Sequence, residues 1–403
     1  MNTLYKSKKS DLKINKIYIS YLERINIMND NEKPSDLIEK IDESAPSDIK
    51  KPFDPTKIDI TVKPLIIDSL IKRMKSEPMR IDLNSEFQRM GDLWKVETQS
   101  RLIESLLVRI PLPAFYFDGT DENNWKIVDG LQRITTLKNF IISKSLKLTG
   151  LEFLKQYEGM GFDDLPIFLQ GRIEETQITA FIINPGTPGD VKYNIFKRIN
   201  TGGLILNPQE IRHALNQGIP ADFVKELASL EEFRKATDYT LNGCKRMEDR
   251  DFVTRFIGFY LGYDSYQPDL DSFLNNSMAR LKELPKKQRE QIKSDFIKAM
   301  NVAIDIFAGY AFRKRFHKND RKNPLNKALF DSWSINFAKL GNEQIPFLIS
   351  KKEEVGKKFI ELMNNNASFV KAISSGTGDV KAVQKRFKSI ADLIREIIND
   401  QTN

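Results

Sequence analysis

The stretch "IVDGLQRITTLKNF" (residues 127–140) decides how the first half of this chain is read. Before it, "NWKIV" has the apolar run and bounding polar residues of a strand, and Asp129-Gly130 supplies a turn. After it, Ile134, Leu137 and Phe140 recur at the spacing of one helical face. A strand, a tight glycine turn and a helix therefore meet where Asp129, Gln132 and Arg133 are packed into five residues. Two readings of that cluster are open. In one, Asp129 is the N-cap of the helix, Gln132 its capping-box partner and Arg133 a solvated helical residue. In the other, the free amides and positive dipole end of a helix start form a phosphate site. Arg133 then holds phosphate in bidentate fashion, and Asp129 binds Mg²⁺ or orients a water.

Reading outward, "KIDITV" (57–62), "MRIDL" (79–83), "LPAFYF" (112–117), "NWKIV" (124–128) and "ETQITAFII" (175–183) are strand candidates. "PLIIDSLIKRMKS", "TQSRLIESLLVRI" (98–110), "LQRITTLKNFI" and "GDVKYNIFKRIN" (189–200) carry helical periodicity. "NPQEIRHAL" (207–215) has Asn at the N-cap, Pro at the first helical position and Glu at the third, a strong helix start. From about 220 to 398 the periodicity is almost wholly helical, as in "DRDFVTRFIGFYLGY" and "VQKRFKSIADLIREII". The expectation is an α+β protein: an α/β domain over 52–215, an all-α domain over 216–403, and a polar arm and linker over 1–51 broken by Pro34 and Pro46.

Composition narrows the chemistry. A single cysteine, Cys244, excludes an internal disulfide framework and a cysteine-cluster metal site. The only histidines, His213 and His317, stand far apart, which argues against zinc hydrolases, HNH nucleases and Ser-His-Asp enzymes. The N-terminus lacks the apolar core of a secretory signal, and no window approaches the roughly 18 apolar residues of a membrane span. A cytoplasmic protein with no membrane partner is expected. A net charge of +8 allows a polyanionic partner. Within "FRKRFHKNDRK" (312–322), Arg313, Lys314, Arg315, Lys318, Arg321 and Lys322 face a single Asp, so this run is either a solvated surface or a contact to DNA.

Three polar clusters interrupt otherwise regular patterns: "EFQRMGDLW" (86–94) with Gln88 and Arg89, "VDGLQR" (128–133), and "FKRINTGG" (196–203) with Arg198 and Asn200. Arginines, amides and glycine turns together suit a phosphate-rich ligand better than a hydrolase triad. Taken in order with "RLIESLLVRIPLPAFYF" and "LILNPQEIRHAL", these motifs resemble the N-terminal domain family of GmrSD-type modification-dependent restriction systems over about residues 52–215. That family's hallmark is Asp-Gly-Gln-Gln-Arg. Here it reads Asp129-Gly130-Leu131-Gln132-Arg133, so the first Gln has no counterpart.

The resemblance implies a ParB/sulfiredoxin-like fold and nucleoside-triphosphate binding and hydrolysis coupled to restriction of foreign DNA. Asp129, Gln132 and Arg133 would then be catalytic, with Asp129 also the Mg²⁺ ligand. Gln88, Arg89, Gly130, Arg198 and Asn200 would complete the nucleotide pocket. The His-rich cutting motif of fuller members does not occur, so the expected role is sensor or regulator, with DNA, a separately encoded effector nuclease or a second copy as partners. Two alternatives stand beside it. One is a ParB-like metal-dependent nuclease using Asp82, Glu86, Asp118 and Asp129. The other is a non-catalytic DNA-binding or interaction protein.

Overall fold

A computed structural model describes residues 37–43, 54–82, 94–199, 206–244 and 246–399. The chain divides into two compact units, one of residues 50–218 and one of residues 219–403 joined by the N-terminal 1–49. The architecture is α+β followed by all-α.

The first unit is built on strands β1 (Ile60–Ile66), β2 (Ile81–Asp82), β3 (Phe115–Asp118), β4 (Trp125–Asp129) and β5 (Gln177–Ile183). They form one mixed sheet in the order β1-β5-β3-β4-β2. The β1/β5 and β3/β4 pairs are antiparallel, and β3/β5 and β2/β4 are parallel. Its helices are α1 (Ile67–Lys75), α2 (Val96–Leu107), α3 (Leu131–Leu137), α4 (Ile167–Glu174), α5 (Gly189–Ile199) and α6 (Pro208–Leu215).

Period-two alternation sorts the strand side chains between two cores. Phe115 and Phe117 of β3, with Ile178, Ala180 and Ile182 of β5, pack in the core that also takes Leu70, Ile103, Ile134 and Ile173 of the helices α1–α4. Between them, Tyr116 turns the other way and stacks on Phe181 with ring centroids 4.7 Å apart. It packs with Ile183 against Val191, Ile195 and Phe196 of α5 and Ile211 of α6.

Differences from the sequence reading have local causes. Pro64 does not open a helix but sits inside β1. That strand lies at the sheet edge, where a residue without an N–H costs no ladder bond. The helix begun at Leu131 stays α-helical only to Leu137 and then widens into a π turn over Lys138–Ile142, where Ser143 N–H reaches the Lys138 carbonyl at 2.8 Å. The turn buries both Phe140 and Ile141. Helix α4, within "LPIFLQGRIE", has too weak an amphipathic pattern to be found from periodicity. The start of α6 follows the reading closely. Asn207 Oδ1 accepts from Glu210 N–H at 2.9 Å, and Glu210 Oε2 accepts from Asn207 N–H at 2.7 Å.

The second unit carries α7 (Ile219–Ser229), α8 (Glu231–Ala236), α9 (Glu248–Gly262), α10 (Leu270–Glu283), α11 (Lys286–Phe307), α12 (Lys327–Ala338), α13 (Gln344–Ser350), α14 (Lys352–Asn365), α15 (Ala367–Ala372) and α16 (Val380–Asn399). Phe252, Phe256, Phe296, Phe330 and Trp333 dominate its core. The core also holds a charge network. Arg255 donates from Nε and Nη2 to Asp331 at 2.9 and 2.6 Å, while Arg386 reaches the same carboxylate at 3.1 Å.

Part of the segment read as a polar arm and linker packs with this unit. Ile38 bridges Leu325 and Asp42 bridges Ser375. Glu43 pairs with Arg255 at 2.6 Å, and Glu39 with Lys314 at 2.5 Å. Its polar residues supply carboxylates to cations of the helical unit.

Candidate functional site

The strand-to-helix turn at 129–133 is the best-defined part of the sequence-predicted site. Gly130 adopts φ +101°, a left-handed conformation costly for any residue with a Cβ. A Cβ there would also stand 2.5 Å from Phe115 Cδ1 and 3.3 Å from Arg133 Nη2, so space as well as backbone requires glycine. Gly130, not Asp129, is the N-cap of α3, and among the described residues no side chain caps the helix. This corrects the capping-box reading: the Asp129 carboxylate reaches Arg133 one turn on, with Oδ2 accepting from Nη2 at 2.7 Å.

Arg133 is not the solvated residue of the first reading, nor an open phosphate fork. It is buried at 8% exposure. Besides Asp129, it donates from Nη1 to the carbonyls of Ala114, at 3.2 Å, and Pro113. Its guanidinium lies 4.5 Å from the centre of the Phe115 ring. One side chain thus ties the entry to β3, the end of β4 and the start of α3 together.

Burial pushes the Arg133 pKa down and the Asp129 pKa up. The attraction between them, and for Asp129 the Gly130 amide, act against those shifts. The pair stays ionic because a carboxyl and a guanidinium start so far apart. Asp129 is the more open partner, with 23% of its side chain exposed against 10% for Arg133.

Gln132 lies half-buried in the first turn of α3, and Arg198 is exposed in the last turn of α5. Gln88, Arg89 and Asn200 lie outside the described residues. Asp118, a carboxylate of the nuclease alternative, is buried at the far end of β3. It accepts from Lys192 Nζ at 3.0 and 3.3 Å and from the Thr120 amide at 2.9 Å. Asp82 is held in β2 beside Lys126 of β4, and Glu86 lies outside the described residues. Among the described residues no three His, Cys, Asp or Glu side chains gather into a metal-binding group. Of the carboxylates named for the nuclease alternative, Asp118 is paired with Lys192 and Asp129 with Arg133. Lys192, the buried partner that sequence reading missed, left only a lysine at an apolar helical position as its signal.

The basic run also divides. Arg313 is buried and donates to the Asn323 carbonyl and Thr240 Oγ1, both at 2.6 Å. Lys314 is bound by Glu39 and by Ser374 Oγ at 2.7 Å. The side chains of these two residues are thus engaged within the helical unit. Lys318, Arg321 and Lys322 remain at the surface, and Arg315 is half-buried.

Residues 67–217 match the family model described as the GmrSD restriction endonuclease, N-terminal domain. The matched segment is similar to a GmrSD-type N-terminal domain and contains the whole of the turn at 129–133. No curated protein matches the chain. No solved structure matches it either. Among the described residues no helix is long and apolar enough to cross a membrane.

Proposed function

We propose that the protein is a nucleotide-binding, NTP-hydrolysing sensor or regulatory module of a prokaryotic anti-phage restriction system, acting on DNA together with a separately encoded effector. The observation that carries this reading is the Asp129 carboxylate. It is fixed by Arg133 and the Gly130 amide, partly open to solvent, and set at the mouth of a glycine turn within the GmrSD-type domain.

In this reading Asp129 orients the attacking water or holds Mg²⁺, and Gln132 on the same turn orients water or ribose. Gln88, Arg89, Arg198 and Asn200 supply the remaining polar contacts to the nucleotide. Arg133 is a positioning residue, because its donors are already engaged inside the protein. A single carboxylate fits Mg²⁺ on a nucleotide, where phosphate oxygens and waters provide most of the ligands. Mg²⁺ bound there would neutralise charge on the phosphates.

The enclosed Arg133, together with Leu131 in place of the hallmark Gln, favours one second reading: nucleotide binding without turnover. A panel of the four common NTPs with Mg²⁺ separates the two. Thermal melts read binding, and phosphate release with and without DNA reads hydrolysis. Turnover that Asp129→Asn abolishes while the variant stays folded supports the proposal; stabilisation without phosphate release selects the second reading. No shift in melting with any NTP up to millimolar concentration sinks both.

A further inference from the structure

A groove on the helical unit, between the loop 313–323 and helix α14, has a volume of about 660 Å³. That lies within the range of small-ligand sites. Ile306, Phe316 and Ile360 give it an apolar floor, and Arg315, Lys318, Lys352 and Lys357 line it with positive charge. Two carboxylates, Glu353 and Glu361, and one imidazole, His317, also face it.

The loop is held in shape by its own bonds. Asp320 accepts from the amides of Phe316 and His317 at 2.6 and 2.8 Å, Arg315 donates to the Lys318 carbonyl at 2.6 Å, and Asn364 of α14 donates to the Phe316 carbonyl at 2.8 Å. The cations therefore stand on a fixed platform. Among the described residues Arg315 Nε is buried with no hydrogen-bond partner. The anions are weak competitors: Glu353 meets Lys318 at 3.6 Å with both side chains about four-fifths exposed, and Glu361 meets Lys357 at 3.9 Å.

Gly356 supplies an independent sign. It lies in the middle of α14, where glycine is the poorest helix former short of proline. Among the described residues a Cβ there would meet nothing within 4 Å, so no packing against them explains the glycine. It lines the groove, and any longer side chain would project into it.

We propose that this groove binds single-stranded nucleic acid, with a base over Phe316, Ile306 and Ile360 and the flanking phosphates on Arg315, Lys318, Lys352 and Lys357. A strand is favoured over a free nucleotide because the positive charge continues beyond the groove to Arg321, exposed on the same loop, whereas Lys322 beside it is paired with Asp238 at 2.6 Å. Aromatic stacking combined with a cationic track is the general chemistry of single-strand recognition. The site lies in the helical unit and needs no nucleotide at the turn at 129–133.

The test is fluorescence anisotropy with a labelled 12-nucleotide DNA strand and the full-length protein, without NTP or Mg²⁺, so that its outcome is independent of NTP turnover. Gly356→Leu should weaken binding at least tenfold while melting no lower than wild type. Gly356→Ala should weaken it less and melt higher. Lys318→Gln and Lys357→Gln should each flatten the plot of log affinity against log salt by about 0.7. Glu353→Gln should tighten binding by removing the competitor of Lys318. An abasic strand of equal length should bind about tenfold more weakly than the normal strand. Unchanged affinity in a folded Gly356→Leu, or unchanged salt slopes in both lysine variants, overturns the proposal. So does equal binding of the abasic strand, of blunt duplex or of a poly-glutamate peptide. Mononucleotide binding that matches the strand and is lost in the same variants would replace the strand by a free nucleotide.

Discussion

Replacing Arg133 by alanine tests the account of the strand-to-helix turn most directly. The substitution removes the cation from an Asp129 whose side chain is 23% exposed, and it takes the donors from the carbonyls of Pro113 and Ala114. Removing one member of a buried ion pair costs about 3–5 kcal/mol, because the other charge is left without compensation. Partial exposure lets water reach Asp129 and offsets some of that loss, so we expect about 2–4 kcal/mol. For a unit of this size that is a fall in melting temperature of roughly 5–15 °C. Trp94 and Trp125 lie in this unit and Trp333 in the other, so a fluorescence-detected melt in a Trp333→Phe background follows it. A cycle with Asp129→Asn should show coupling of about 1–3 kcal/mol, as groups in contact do. An ordinary surface residue would change stability by only about 0.5 kcal/mol. A melt of Arg133→Ala within that margin would refute the description of Arg133 as an internal strut and return it to the solvent.

Three further substitutions probe the rest of the architecture. Gly130→Ala should cost at least about 2 kcal/mol in the same melt, since it combines backbone strain at φ +101° with a clash against Phe115; a neutral result would mean the turn relaxes freely. Glu104 is pushed up by burial, but donated N–H bonds from Glu152, Phe153 and Leu154, with Arg101 nearby, outweigh this and leave its pKa lowered. Its stabilisation is therefore present above the unfolded carboxyl value of about 4.3 and is lost as the pH falls through the lower folded value. Glu104→Gln should cost about 1–2 kcal/mol at pH 7 and nearly nothing once the wild-type carboxyl is protonated; a pH-independent difference would contradict the assignment. Asp331→Asn leaves Arg255 and Arg386 sharing a site without their common carboxylate, and should lower the stability of the helical unit by about 3–5 kcal/mol in urea titration. A loss below about 1 kcal/mol would show that Glu43 alone suffices to balance the pair.

What the sequence determined by itself were the features set by neighbours a few residues apart. Asn207 and Glu210 cap α6 because a capping box is complete within four residues. The alternation Phe115, Tyr116, Phe117 assigns each ring to a core because strand geometry leaves no other choice. The order of the Arg- and Gly-bearing motifs was enough to mark the GmrSD-type domain. The roles of the charged residues were not settled at that range. Arg133 could be read as solvated or phosphate-binding until Pro113, Ala114 and Phe115 were seen to enclose it. Arg313 and Lys314 looked like Lys318 in the sequence, yet Thr240, Asn323, Glu39 and Ser374 hold them within the helical unit. Lys352 and Lys357 join Lys318 around one groove only because α14 packs beside the loop 313–323. Helix and strand periodicity arises from burying apolar area, which a short window records. A charge takes its function from the dielectric and the partners around it, and distant parts of the chain supply those only when it folds.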